Sequence, residues 1–180
     1  MQAPLTTSRT RSGFTLIELM MVVVIMGVIS ATVLPAMGNV RAMREGAARD
    51  DLMRFIEVTK GRAVASGMPH GLQINLSDSS LTIVRITDAG AVEVELDPLT
   101  NGDRAINLSS LYSGVTLTDM INGNGAGGSG TIWFDYESNP HTRSSSGVFF
   151  SLNSSIVSIA ISSGEFVIVH PYSGVLEVQY

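Results

Sequence analysis

A single charged side chain, Glu18, interrupts the apolar run that extends from Phe14 to Leu34. As a helix rising ~1.5 Å per residue, this run is about 31 Å long. That length matches the roughly 30 Å hydrocarbon core of a bilayer. A helix satisfies its own backbone groups, so a single span is viable in lipid. Pro35 follows at once; it lacks a backbone donor and its ring clashes with the preceding turn. The pattern therefore predicts a kink or break near Ile29–Pro35, with Gly27 and Gly38 adding backbone freedom. After Gly38 the pattern turns amphipathic. Ala48, Leu52, Phe55, Thr59 and Ala63 recur at spacings of three and four, with Ile56 alongside. Arg44, Asp51, Arg54 and Lys60 fall largely on other faces, so the stripe predicts a helix laid on a sheet. Ser66-Gly67, with Pro69 just beyond, predicts where the helix stops.

From Met68 onward the period drops to two. Gly71–Leu76, Leu81–Thr87 and Ala91–Leu96 read as strands around the turns Ser77-Asp78-Ser79-Ser80 and Asp88-Ala89-Gly90. Val92, Val94 and Leu96 alternate with Glu93 and Glu95. Alternation recurs in Ile132–Tyr136, Val148–Leu152, Ile156–Ile161, Phe166–Val169 and Val175–Val178. This predicts half-buried antiparallel strands. Ser162-Ser163-Gly164 and His170-Pro171-Tyr172-Ser173-Gly174 read as hairpin turns. Residues 97–130 and Ser138–Ser146 are rich in Gly, Ser, Asn and Pro and read as irregular loops.

The 180 residues suffice for one domain with a real core. The formal net charge is −5; removal of Arg9 and Arg11 with residues 1–13 takes it to −7 (−5 − 2). An acidic head whose basic residues beyond the helix are Arg85, Arg104 and Arg143 has no footprint for nucleic acid. Without cysteine there is no disulfide or thiolate metal site. Gly123 to Gly128 matches Gly-x-Gly-x-x-Gly, but a dinucleotide site needs a helix after it, and a strand is predicted instead. Asp97, Asn101, Gly102 and Asp103 offer oxygens, yet Leu99 and Leu108 stand at ligand positions of the calcium loop. His70, His141 and His170 are scattered beside prolines, and Ser129 lacks the nucleophile-elbow spacing. No metal, cofactor or catalytic set is expected, and the chain does not read as an enzyme.

The segment Arg11-Ser12-Gly13-Phe14-Thr15-Leu16-Ile17-Glu18 departs from a secretory signal, which would have a shorter apolar core and a small-x-small cleavage site. It resembles the processing motif of type IV pilins and type II secretion pseudopilins. The resemblance covers about the first forty residues. It implies that a prepilin peptidase cuts between Gly13 and Phe14, that the freed amine of Phe14 is methylated, and that Glu18 is the assembly carboxylate that pairs with a neighbouring subunit's N-terminus. Pro35 lies where such helices often carry a proline. The arginines flanking the span (Arg9 and Arg11 before it; Arg41, Arg44, Arg49 and Arg54 after) do not set orientation by the positive-inside rule; the resemblance implies that the head lies outside the cytoplasm. Gly61-Arg62-Ala63-Val64-Ala65-Ser66-Gly67, Gly71-Leu72-Gln73-Ile74 and Ile132-Trp133-Phe134-Asp135 with the later Gly147-containing strand are similar to H-type minor pseudopilins and related minor pilins, although Val64 stands where a Glu is frequent.

These resemblances imply an α+β, pilin-like chain: a leader over 1–13, a membrane and assembly helix over 14–37, an amphipathic helix over 38–67 and a β-rich head over 68–180. The implied role is a minor pseudopilin of type II secretion, anchored in the bacterial inner membrane with its head in the periplasm. The implied partners are other pilin or pseudopilin subunits, the prepilin peptidase and N-methyltransferase, and an inner-membrane assembly platform. A minor type IV pilin and a membrane-anchored ligand-binding module are the alternatives; the mobile-looking loops at 97–130 and 138–146 are the only support for the last.

Overall fold

Thr15 opens the first element without being helical itself, and helix α1 runs from Leu16 to Ser66. It stops where Gly67 takes a φ of +67°, the left-handed conformation that closes many helices and that glycine adopts without strain. The computed structural model describes residues 14–121, 128–152 and 155–180, without the side chains of residues 32–37. The backbone of α1 stays helical through residues 29–35, so the chain does not break there; the Pro35 side chain lies outside the described residues. The chain divides into two compact units, Met1–Val40 and Arg41–Tyr180.

The second unit contains the core. Ala48, Leu52, Ile56, Thr59 and Ala63 are wholly buried. The predicted stripe is thus the buried one, except that Ile56 takes the central place and Phe55 packs at its edge. Thr59 joins an apolar face because its Oγ1 donates to the carbonyl of Phe55 at 2.7 Å, which satisfies the hydroxyl inside its own helix.

Among the described residues all strand pairs are antiparallel and form two sheets. The strands in chain order are β1 (His70–Asn75), β2 (Ser80–Ile86), β3 (Val92–Val94), β4 (Ala105–Asn107), β5 (Leu117–Ile121), β6 (Gly130–Phe134), β7 (Pro140–Arg143), β8 (Phe149–Ser151), β9 (Val157–Ile161), β10 (Phe166–Val169) and β11 (Leu176–Gln179). The larger sheet has the order β3-β2-β1-β6-β7-β8, with β4 also paired to β2; the smaller has the order β11-β10-β9-β5. One apolar cluster joins the α1 stripe to both: Leu72, Ile74, Leu81, Ile83, Ile132 and Phe134 from the larger sheet, and Met120, Ile159, Ile161, Val167 and Val169 from the smaller.

Three parts of the sequence reading are corrected. Residues 97–130 are not irregular throughout: they hold β4, a short helix α2 (Leu108–Leu111) and β5. Asn107 caps α2, its side chain accepting from the Ser110 amide at 2.8 Å, and buried Leu108 ties it to the core. The loop Ser138–Ser146 likewise contains β7. Segments of three to five residues leave little periodicity to read. Strands β9 and β10 are also not half-buried: β9 is buried at every position and β10 at all but Phe166. They are the two central strands of their sheet.

The third correction is in β3 and its continuation. The alternation is real, but its apolar members face out: Val92, Val94 and Leu96 are exposed, whereas Glu95 is buried to 8% of its surface. The register pairs Glu93 with Arg85 and Val94 with Val84, so β3 lies at the sheet edge with its carboxylates on the α1 side. There Glu95 Oε1 meets Arg62 Nε at 3.2 Å and Arg104 Nη1 at 3.5 Å. Two guanidinium groups make burial of this charge tolerable.

Polar contacts edge the α1 stripe along its length. Arg49 Nη1 lies 3.3 Å from Glu165 Oε2, Lys60 Nζ donates to the carbonyl of Gly174 at 3.0 Å, and the Tyr112 hydroxyl donates to Asp51 Oδ2 at 2.6 Å. This last bond, then partial desolvation, pushes the Tyr112 phenol above its ordinary value. A raised folded value means that the contribution is complete below the unfolded pKa of about 10 and is lost as pH rises through the folded one. Tyr112→Phe is therefore expected to flatten the alkaline limb of a stability–pH curve above about pH 10, measured by denaturant unfolding. Leu52→Ala, which empties a fully buried site, should lower unfolding free energy by about 2–5 kcal/mol in the same assay.

Candidate functional site

From Phe14 to Ile29 every large apolar side chain is at least half exposed, from 50% at Val22 to 84% at Phe14. Isolated exposed apolar residues are ordinary, but a continuous apolar helix surface marks a place for lipid or a partner. Val92, Val94 and Leu96 are also exposed, but they form a short edge, whereas the N-terminal run covers helix turn after turn.

Glu18 lies in the first turn of this surface. Thr15 is the N-cap residue and Glu18 stands three positions on, and the two cap each other. Glu18 Oε2 accepts from the Thr15 amide and from Thr15 Oγ1, each at 2.8 Å, while Thr15 Oγ1 accepts from the Glu18 amide at 3.4 Å. This reciprocal arrangement is a capping box. It satisfies orphan donors at a helix end that cannot rely on water once it enters an apolar environment. The same turn places the carboxylate near the positive end of the helix dipole. The capping bonds use Oε2, which leaves Oε1 for a further donor.

Of the residues predicted for processing and assembly, Phe14 precedes the cap in non-helical backbone and is 84% exposed. Gly13 and the leader lie outside the described residues. Thr15 is the capping residue absent from the sequence reading, although Thr15-x-x-Glu18 is itself a readable capping-box spacing. Among the described residues no helix is long and apolar enough to cross a membrane; the described side chains of the apolar run stop at Ala31, short of its sequence end at Leu34.

The other chemical candidates do not gather. His70 opens β1, its Nδ1 3.0 Å from the carbonyl of Met68. His141 lies in β7, and His170 pairs with Glu177 at 2.7 Å. Asp97 and Asn101 close a turn: Asp97 Oδ1 accepts from the Leu99 amide and the Asp97 carbonyl accepts from the Asn101 amide, both at 2.8 Å. Among the described residues no group of three or more His, Asp or Glu side chains is arranged to hold a metal. The glycine tract lies mostly outside the described residues, and the element that follows it is strand β6.

Residues 8–34 match the prokaryotic N-terminal methylation motif. No curated protein matches the chain in sequence. In structure the chain is similar to the minor pseudopilin EpsH from the type 2 secretion system of Vibrio cholerae. One structure of that protein aligns over 75% of this chain and 94% of its own at 15% identity, with a TM-score of 0.51. A second aligns over 78% and 97% at 14% identity, also with a TM-score of 0.51. The chain therefore joins a prokaryotic N-terminal methylation motif to a fold like that of the EpsH structures, a long N-terminal helix followed by antiparallel sheet.

Thr15→Ala removes half of the capping box. The expected outcome is faster amide exchange over the first turn of α1 in detergent-solubilised protein, with exchange in the core strands unchanged.

Proposed function

We propose that this chain is a minor subunit of a type II secretion pseudopilus and acts by assembly. One observation supports this most directly: the N-methylation motif heads a helix whose apolar surface is exposed, while the stripe farther along the same helix is buried under a pseudopilin-like head. The similarity to EpsH, named for its secretion system, favours secretion over the alternative, a minor type IV pilin.

In this reading the precursor is held in the bacterial inner membrane by its apolar run, with the head in the periplasm. A prepilin peptidase cuts between Gly13 and Phe14, and the amine of Phe14 is methylated but remains basic. The helix then leaves lipid for a bundle of like helices on an assembly platform. Pro35 is the proposed point of helix adjustment. Glu18 supplies direction to this exchange. A carboxylate in a low-dielectric bundle is strongly disfavoured without a compensating charge. The methylated amine of a neighbouring Phe14 provides that charge, and Oε1 is the atom left free by the capping box. Apolar packing supplies cohesion, and the ion pair sets register.

The mature protein is expected to begin at an N-methylated Phe14 by N-terminal mass spectrometry; a chain starting at Met1, or beyond the apolar run, overturns the reading. Glu18→Ala should leave cleavage and methylation intact but deplete the subunit from affinity-purified filaments, and incorporation at the wild-type level counts against the mechanism. Deletion of the chain should block export of a secreted substrate. Loss of surface pili with export intact would assign it to a pilus instead.

A further inference from the structure

The face of the larger sheet turned away from the α1 stripe carries an aromatic group roofed by one cation. Trp133 on β6 lies opposite Gly71 on β1, and a Cβ at Gly71 would fall 2.9 Å from its indole carbons. Phe149 on β8 meets Trp133 edge-on, with centroids 5.7 Å apart, and His141 on β7 meets Phe149 at 6.3 Å. The Arg143 guanidinium carbon stands 5.8 Å from the Trp133 ring centroid and 5.7 Å from that of Phe149. Arg143 Nη2 reaches across to the turn between β2 and β3 and donates to the carbonyl of Gly90 at 3.0 Å. Trp133 is only 4% exposed in consequence.

Among the described residues no carboxylate pairs with Arg143, and its Nε is buried without a hydrogen-bond partner. Arg44 also bonds only a carbonyl, that of Ser113 at 3.5 Å, whereas Arg41, Arg49, Arg54, Lys60, Arg62, Arg85 and Arg104 each meet a carboxylate. Two ring faces and one neutral carbonyl restrain Arg143, and such contacts are weaker than a charge-assisted pair. The carbonyl belongs to a turn, Asp88-Ala89-Gly90-Ala91, that is exposed throughout. Beside the rings a cavity of about 310 Å³, lined by Pro69, Phe134, Tyr136, His141 and Phe149, is already open.

We propose that Arg143 is a releasable strap: it ties the β2–β3 turn to the β7–β8 hairpin and closes the sheet face over Trp133. When the turn moves, the guanidinium leaves with its solvation restored, and the indole becomes accessible beside the cavity that Phe149 already lines. Local opening of an exposed turn needs far less free energy than global unfolding, so the open state is accessible from the folded chain.

Trp133 is the single tryptophan of the chain, so its emission reports the strap directly in the full-length, detergent-solubilised protein. Arg143→Met keeps the stem and removes the head. Gly147→Ala keeps Arg143 but places a Cβ 3.0 Å from Nη2 at a φ of +89°, so the guanidinium must give by a few tenths of an ångström in a hairpin already strained by the positive φ, a second perturbation should the first variant fold poorly. Both variants should show red-shifted emission and stronger acrylamide quenching, with far-ultraviolet circular dichroism unchanged. In the wild type, quenching should rise with temperature before the unfolding transition begins. Wild-type emission in both variants overturns the proposal, as does a wild-type quenching increase that coincides with global unfolding.

Discussion

A helix with a continuous apolar surface must have that surface covered, and α1 meets this constraint in two different ways. Over Ala48–Ala63 the chain covers the helix itself: both sheets contribute to one core around Leu52 and Ile56. Over Phe14–Ile29 the side chains are exposed. Burial is worth about 25 cal/mol per Å² of apolar surface, so so large an exposed area drives association with lipid or with other helices.

Two glutamates show how charge is handled beside apolar surface. Glu95 is buried and permanently compensated by Arg62 and Arg104, which joins the end of α1 to the edge of the larger sheet. Glu18 is compensated only in part: Thr15 uses one oxygen, and the other remains for a donor from outside. Both guanidinium groups meet Oε1 of Glu95, and its buried Oε2 has no hydrogen-bond partner among the described residues. The difference between the two glutamates is therefore in the charge beside them: two cations face Glu95, whereas only the amide and hydroxyl of Thr15 face Glu18.

The N-terminal site was legible because its chemistry is local. The methylation motif lies within the contiguous residues 8–34, Glu18 bonds within its own helix turn, and the helix stop at Ser66-Gly67 needs only a glycine with a positive φ. The core stripe was legible for the same reason, with the single exchange of Ile56 for Phe55 at its centre. The head was legible as β-rich, and its long strands were placed near their observed positions. What failed was the placement of elements too short to show a period, β4, α2, β5 and β7, together with the complete burial of β9 and which face of β3 points inward.

The case of Val92, Val94, Glu93 and Glu95 states the limit most clearly. Period-two alternation determines that these side chains point to opposite faces, and the sequence alone establishes that. Which face is inside depends on Arg62 and Arg104 arriving from other elements to compensate Glu95, and on pairing Val94 with Val84 rather than shifting by one residue. Similarly, the sequence determined a helix with one acid at its head, whereas only the tertiary structure divided the described strands between two sheets and laid Arg143 over Trp133. Backbone propensity and hydrophobic periodicity act over a few residues and can be read along the chain; charge compensation and strand register are settled between residues that only folding brings together.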